Sequence, residues 1–167
     1  NLQNYVQKKG FFYSVDFASS GSSHIGGNVA TNAGGIRVLR YGMTRDRVSG
    51  LKVVTGAGEV LDLNKGLIKN NSGYDLRHLF IGSEGTLGFV VEVTLHLAPP
   101  VGNLTVMLLS IPRPDACLEI LDAFREFVTL TAFEFFSHNA LHFVVTRCGL
   151  KVPFEVSAPF YILLEFE

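Results

Sequence analysis

"GSSHIGGNVATNAGG", residues 21–35, packs five glycines, two asparagines and a threonine into fifteen positions, with no Asp, Glu, Lys or Arg among them. Glycine costs roughly 1 kcal/mol against alanine in a helix interior, and no apolar period of 2 or 3.6 runs through the stretch. The stretch therefore reads as a loop in which main-chain N–H groups approach a partner without Cβ in the way. Gly26-Gly27 and Gly34-Gly35 are two such places, and Asn28, Thr31 and Asn32 add uncharged donors and acceptors between them. Converging amide dipoles can hold a diphosphate without Lys or Arg, and amides beside a conjugated ring tune its redox chemistry. The residues alone leave a second reading open, in which the glycines only make tight turns.

Two other phosphate cradles fail on spacing. A P-loop needs G-x-x-x-x-G-K-[ST], and the chain has no Gly-Lys pair. "GAGEVL" (56–61) has the first two glycines of a G-x-G-x-x-G fingerprint without the third, and a strand pattern follows it where a helix should. Around the glycine stretch, "NLQNYVQKKG" (1–10) reads as the last turns of a helix ended by Gly10, and as the start of a fragment of something longer. "LKVVTGAGEVLDL" (51–63) reads as a hairpin about Gly56-Ala57-Gly58. Residues 74–85 read as a short helix, with Asp75 in its first turn and Gly82 or Gly85 at its end, and 86–99 as a long strand.

After Ala98-Pro99-Pro100 the composition changes. Residues 104–111 read as a strand, 113–128 as a helix striped by Leu118, Leu121, Phe124 and Val128, 130–136 as a strand, 137–147 as a helix and 158–167 as a strand. That β-α-β-α-β order resembles part of a ferredoxin-like layer, cut short in a strand. A chain of 167 residues with 47 % hydrophobic and 17 % charged residues can bury a proper core. Its net charge of −1 argues against nucleic acid as a partner. No apolar run approaches the roughly 20 residues that span a bilayer, and no signal peptide is visible. Cys117 and Cys148, without CxxC spacing, read as reduced buried thiols. The glycosylation matches at Asn70 and Asn103 read as chance.

"GGNVATNAGG" (26–35), "RYG" (40–42), "GLKVV" (50–54) and "GYDLRHLFIGSEGTLG" (73–88), in this order and spacing, resemble the flavin-binding domain of the vanillyl-alcohol oxidase type. More narrowly they are similar to the D-lactate, D-2-hydroxyglutarate and glycolate dehydrogenase branch. "AFEFF" and "APFYILLEFE" resemble the start of that branch's substrate, or cap, domain. The resemblance implies an α+β fold: a flavin-binding domain over residues 1–100, lacking the family's first phosphate loop, then the truncated start of a ferredoxin-like cap domain over 101–167.

It implies FAD as cofactor. Gly26, Gly27, Asn28, Thr31, Asn32, Gly34 and Gly35 would line the pyrophosphate and the flavin edge, with Tyr41 and Gly42 closing the same wall. Glu84, Gly85 and Gly88 would hold the turn before a strand on which Phe89, Val90 and Val91 meet the adenine through main-chain groups. Glu84 reads equally well as a structural carboxylate. The implied reaction is oxidation of a D-2-hydroxy acid, D-lactate or D-2-hydroxyglutarate, to its 2-oxo acid. Electrons would leave to a quinone or a carrier flavoprotein, and a homodimer is compatible with this reading. The branch's catalytic and metal-binding residues lie in the later cap domain, so no catalytic or metal residue is assigned, and the fragment by itself is expected to be inactive. The location implied is cytoplasmic, or the mitochondrial matrix in a eukaryote. The alternative is a non-catalytic flavin-type subunit or scaffold of a glycolate-oxidase-like complex.

His138 and His142, four apart, have a metal-compatible spacing but no third ligand and read as a solvated helix face. Of Arg37, Arg40, Arg45 and Arg47, Arg40 reads as facing the site and the others as solvated. His24 sits within the glycine stretch and is left off the catalytic list. Phe133, Phe135, Phe136, Phe154, Phe160 and Phe166 read as core of the second layer.

Overall fold

The computed structural model describes residues 2–167, and the chain divides into two units, one ending at Val101 and one running Gly102–Glu167. In the first unit come α1 (Leu2–Gln7), α2 (Ile25–Ala30), α3 (Val38–Tyr41), α4 (Thr44–Arg47), β1 (Val48–Thr55), β2 (Val60–Leu63), α5 (Arg77–Phe80) and β3 (Gly88–Leu95). β1 is the middle strand of an antiparallel sheet ordered β2-β1-β3. The hairpin closes as its turn chemistry demands: Gly58 takes φ 83°, and the Thr55 amide donates to Glu59 O at 2.9 Å. Lys52 faces Glu92 but Val53 faces Val90, so Val91 is the extra residue of a β-bulge on the edge strand β3. Leu51, Val53, Phe80 and Ile81 form the core with Val29 of α2, while half-buried Val90 and Val93 pack against them from β3.

Two elements depart from the sequence expectation. The glycine stretch is not all loop, because Ile25–Ala30 is helical. Burial decides against propensity here: Val29 is fully buried in the core, and anchoring it there outweighs the helix cost of its two glycine neighbours. α2 also rests on β3 at Gly26, where a Cβ would make an ordinary contact with Val90 O at 3.6 Å. The helix expected over 74–85 is only Arg77–Phe80. Asp75 does serve its entry, accepting from the Arg77 amide at 3.2 Å and from the Arg77 guanidinium.

The second unit contains β4 (Thr105–Ile111), α6 (Ala116–Phe127), β5 (Leu130–Ser137), α7 (His138–Cys148) and β6 (Phe160–Phe166). Its antiparallel sheet is ordered β4-β6-β5, so the last strand lies between the first two. α6 lays Ile120, Leu121 and Phe124 on Ile111, Ile162 and Leu164. α7 is capped at both ends: Ser137 Oγ accepts from the Ala140 amide, and Gly149 takes the left-handed conformation at φ 62°. Phe133, Phe160 and Phe166 pack into this core, but Phe135 is exposed. Cys148 is also exposed and Cys117 only half-buried, contrary to the expectation of two buried thiols, because Cys148 ends α7 rather than facing the sheet.

Candidate functional site

α2 and the turn after α5 are fastened to each other by main chain. The Gly82 amide donates to Val29 O at 3.0 Å and the Glu84 amide to Ala30 O at 2.8 Å. Glu84 holds φ 52°, a left-handed conformation uncommon for a non-glycine residue. Thr31 ends α2, its amide and its hydroxyl both donating to Gly27 O at 2.9 Å. Asn32 then turns the chain at φ 49°, with Oδ1 accepting from the Arg45 amide at 2.9 Å.

Arg45 completes the fastening. Its guanidinium donates to His78 O at 2.8 Å and to Ile81 O at 2.5 Å, and reaches His78 Nδ1 at 2.9 Å. It is a structural tie rather than the solvated residue the sequence suggested. Hydrogen bonds from a charged group contribute about 1.5–3 kcal/mol. Arg45→Ala is therefore expected to lower the stability of the first unit by about 2 kcal/mol, and Arg45→Lys to recover less than half of it, since an ammonium lacks the planar fork. Urea unfolding followed by circular dichroism checks this; equal stability of all three proteins would remove Arg45 from the scaffold. Of the other arginines, Arg37 stacks over Phe12 and Arg40 over Tyr41, each 5.8 Å from the ring centre, and Arg47 buries its Nε.

Between α2 and the start of β3 lies a cleft of about 720 Å³. Gly26, Gly27, Thr31, Glu84, Gly85, Gly88 and Val90 line it. The glycines there do different work. A Cβ at Gly27 or Gly85 would meet nothing within 4 Å, so bare main chain faces open space, although at Gly85 the φ of 79° favours glycine by itself. At Gly88 a Cβ would stand 2.6 Å from Val54 O, so strand pairing requires that glycine. Asn28 lines a second cleft, of about 670 Å³, with Gln3 and Asn4 of α1 and the 3-10 turn Ser20–Ser22. Ser23, His24 and Ile25 belong to both.

The remaining residues singled out in the sequence line neither cleft. Gly35 is there for close approach, a Cβ lying 2.0 Å from Asp16 O. Gly42, at φ 73°, leaves room for the Asp46 carboxylate, which accepts from the Met43 amide at 2.8 Å. Gly34 packs on Val38 and Met43, and Asn32 makes the turn just described. Tyr41 meets Phe12 edge-on at 5.9 Å. Val91 occupies the bulge of β3 with its side chain exposed. Gly35, Gly42 and Gly88 thus serve the fold itself, while Gly27 faces open space.

Neither cleft is lined by Lys or Arg. Burial pushes the phenol of Tyr13 up from its ordinary value of 10. Farther off, the Arg77 hydrogen bond holds the Asp75 carboxyl below its usual range. Among the described residues no group of three or more His, Cys, Asp or Glu could hold a metal ion, and no helix is long and apolar enough to cross a membrane. In the second unit, His138 Nδ1 lies 3.2 Å from the Tyr161 hydroxyl, so this histidine is partnered rather than simply solvated. The rim residues Ser23, Gln3 and Asn4 escaped sequence reading because nothing in their spacing sets them apart; His24 was visible within the glycine stretch.

Residues 1–64 match the family described as FAD binding domain. Over 99 % of its length the chain is 59 % identical to a D-2-hydroxyglutarate dehydrogenase of Stutzerimonas stutzeri, covering 36 % of that protein. It is 45 % identical to a mitochondrial D-2-hydroxyglutarate dehydrogenase of Bos taurus, covering 98 % of this chain and 30 % of that one. The chain thus spans about a third of the length of these relatives. Among solved structures, an alkyldihydroxyacetonephosphate synthase superposes on 99 % of the chain with a TM-score of 0.74 at 21 % identity, covering 32 % of its own length, and so shares the fold.

Proposed function

We propose, from the match of residues 1–64 to the family described as FAD binding domain, that the chain is the flavin-holding part of an FAD-linked dehydrogenase that oxidises a D-2-hydroxy acid, D-2-hydroxyglutarate foremost, to the 2-oxo acid. The observation that carries this reading is the cleft whose wall is bare main chain at Gly27 and Gly85. A side chain at either position would occupy the space that an elongated dinucleotide needs. Residues 1–100 are the flavin-binding domain in this reading and 101–167 the start of the substrate domain.

Gly26, Gly27 and Gly85 hold the diphosphate through main-chain amides, and Thr31, whose own amide and hydroxyl both donate to Gly27 O, keeps that end of α2 in shape. Glu84 positions the turn, and Asn32, Gly34, Gly35, Tyr41 and Gly42 keep the wall in shape from behind. Val90 and Val91 lie on β3, an edge strand of its sheet among the described residues, which suits reading of an adenine edge as a further strand would be read. Gly88 keeps that strand close to β1. Asn28 extends the donor set into the second cleft. The bound flavin supplies the two-electron acceptor for the hydride leaving the substrate's Cα. No residue of this chain is assigned as the base or the carboxylate anchor in this reading. A quinone or carrier flavoprotein then takes the electrons, and the location is the cytoplasm or the mitochondrial matrix.

A non-catalytic flavin-type subunit is the rival. Such a relic has no need of an open wall, and the openness at Gly27 and Gly85 favours the oxidoreductase. The test is a dye-coupled screen of the full-length protein with D-2-hydroxyglutarate, D-lactate and glycolate, alongside its visible spectrum. A flavin band with turnover highest on D-2-hydroxyglutarate is expected. A colourless protein that ignores added FAD would overturn the reading.

A further inference from the structure

Accepting that the clefts take FAD, we propose that His24 is the counter-charge of the dinucleotide's diphosphate and makes flavin affinity dependent on pH. His24 stands where the two clefts, of about 720 and 670 Å³, share their wall. A ligand too long for either alone must pass it. The imidazole is exposed and does not cap α2 with its ring, and it forms no hydrogen bond or ion pair among the described residues, so it is free to turn to a ligand.

The charge balance of the clefts leaves this work to His24. No Lys or Arg lines them, and their titratable side chains are His24, Glu84 and Tyr13. α1 contributes Leu2 and the amides Gln3 and Asn4, the 3-10 turn only serines and Gly21, and β3 only glycine, Phe89 and Val90. Glu84 brings an acidic side chain, which offers the dianion no counter-charge, and burial pushes the Tyr13 phenol up, away from the interval between pH 5.5 and 8. The diphosphate diester keeps its own charge there. Of these side-chain types, the imidazole is the one whose charge responds to pH in this window. An anion that prefers the imidazolium raises the imidazole's pKa in the complex. Affinity is therefore higher at the acid end of this window, where the imidazolium is favoured, than at the alkaline end.

Flavin-stripped protein titrated calorimetrically with FAD and with riboflavin at pH 5.5, 6.5 and 8.0 tests this, beside His24→Asn, which keeps a residue suited to the start of a helix. FAD is expected to bind about tenfold tighter at pH 5.5 than at 8.0. Riboflavin, having no phosphate, should bind with a flat profile. His24→Asn should bind FAD with the weaker, alkaline affinity at every pH. A flat FAD profile in the unaltered protein, a slope that survives in His24→Asn, or an equal slope with riboflavin would each overturn the assignment. Failure of both flavins to bind at any pH would instead bring down the FAD reading itself, and this inference with it.

Discussion

Gly35→Ala should cost the first unit about 3 kcal/mol, at the top of the usual range for overpacking. The added methyl would stand 2.0 Å from Asp16 O, 2.8 Å from Asp16 C and 3.0 Å from Asp16 N. All three are main-chain atoms, so no side chain can swing away. The Ile36 amide also donates to Asp16 O at 3.2 Å, and the methyl would push apart the two segments that this bond joins. Against the 5–15 kcal/mol of a typical domain, such a loss is a large share of the whole. Gly21→Ala is the matched control: a Cβ there meets nothing within 4 Å, and its φ lies outside the left-handed region. Urea unfolding of both variants decides. If Gly35→Ala unfolds within about 0.5 kcal/mol of Gly21→Ala, below the usual cost of overpacking, the close approach at Asp16 is wrong.

Gly27→Leu should do the reverse: it should leave the fold intact and abolish flavin binding. A Cβ at Gly27 touches nothing, and the backbone there is helical. Replacing a helical glycine with leucine favours the helix by up to about 0.8 kcal/mol. The isobutyl group, however, would stand in the 720 Å³ cleft beside Thr31 and Glu84. FAD affinity should fall at least about a hundredfold, or roughly 2.7 kcal/mol. Flavin fluorescence quenching measures the affinity and thermal unfolding the stability. Unchanged affinity in a folded Gly27→Leu protein would mean that the cofactor lies elsewhere. Together the two glycines separate scaffold from site, since one substitution should harm folding and the other only the ligand.

The elements whose sequence signal was periodic were legible, and those set by tertiary contact were not. The stripe Leu118, Leu121, Phe124 and Val128 located α6, although Leu118 turns out exposed, and Gly56-Ala57-Gly58 located the hairpin, because a helix face and a tight turn are decided within a few residues. α2 was hidden because its one decisive side chain, Val29, earns its place only against Val53 and Ile81 far along the chain. In the site, glycine content gave the wall but not the division of labour within it. Gly27 and Gly35 look alike in sequence; only the presence of Asp16 O beside one and open space beside the other tells them apart. Arg45 carried no mark of its role, since the carbonyls it holds, His78 and Ile81, come more than thirty residues later.

The strand order β4-β6-β5 has a consequence for how the second unit is made. Neither β4 nor β5 pairs with the other, so both must wait for β6 to leave the ribosome before any ladder can form. At roughly 5–20 residues per second, nascent β4 spends seconds with Met107, Leu109 and Ile111 uncovered. The second unit is thus the part of the newborn chain that chaperones would be expected to hold, while the β1–β2 hairpin of the first unit can close as soon as it emerges.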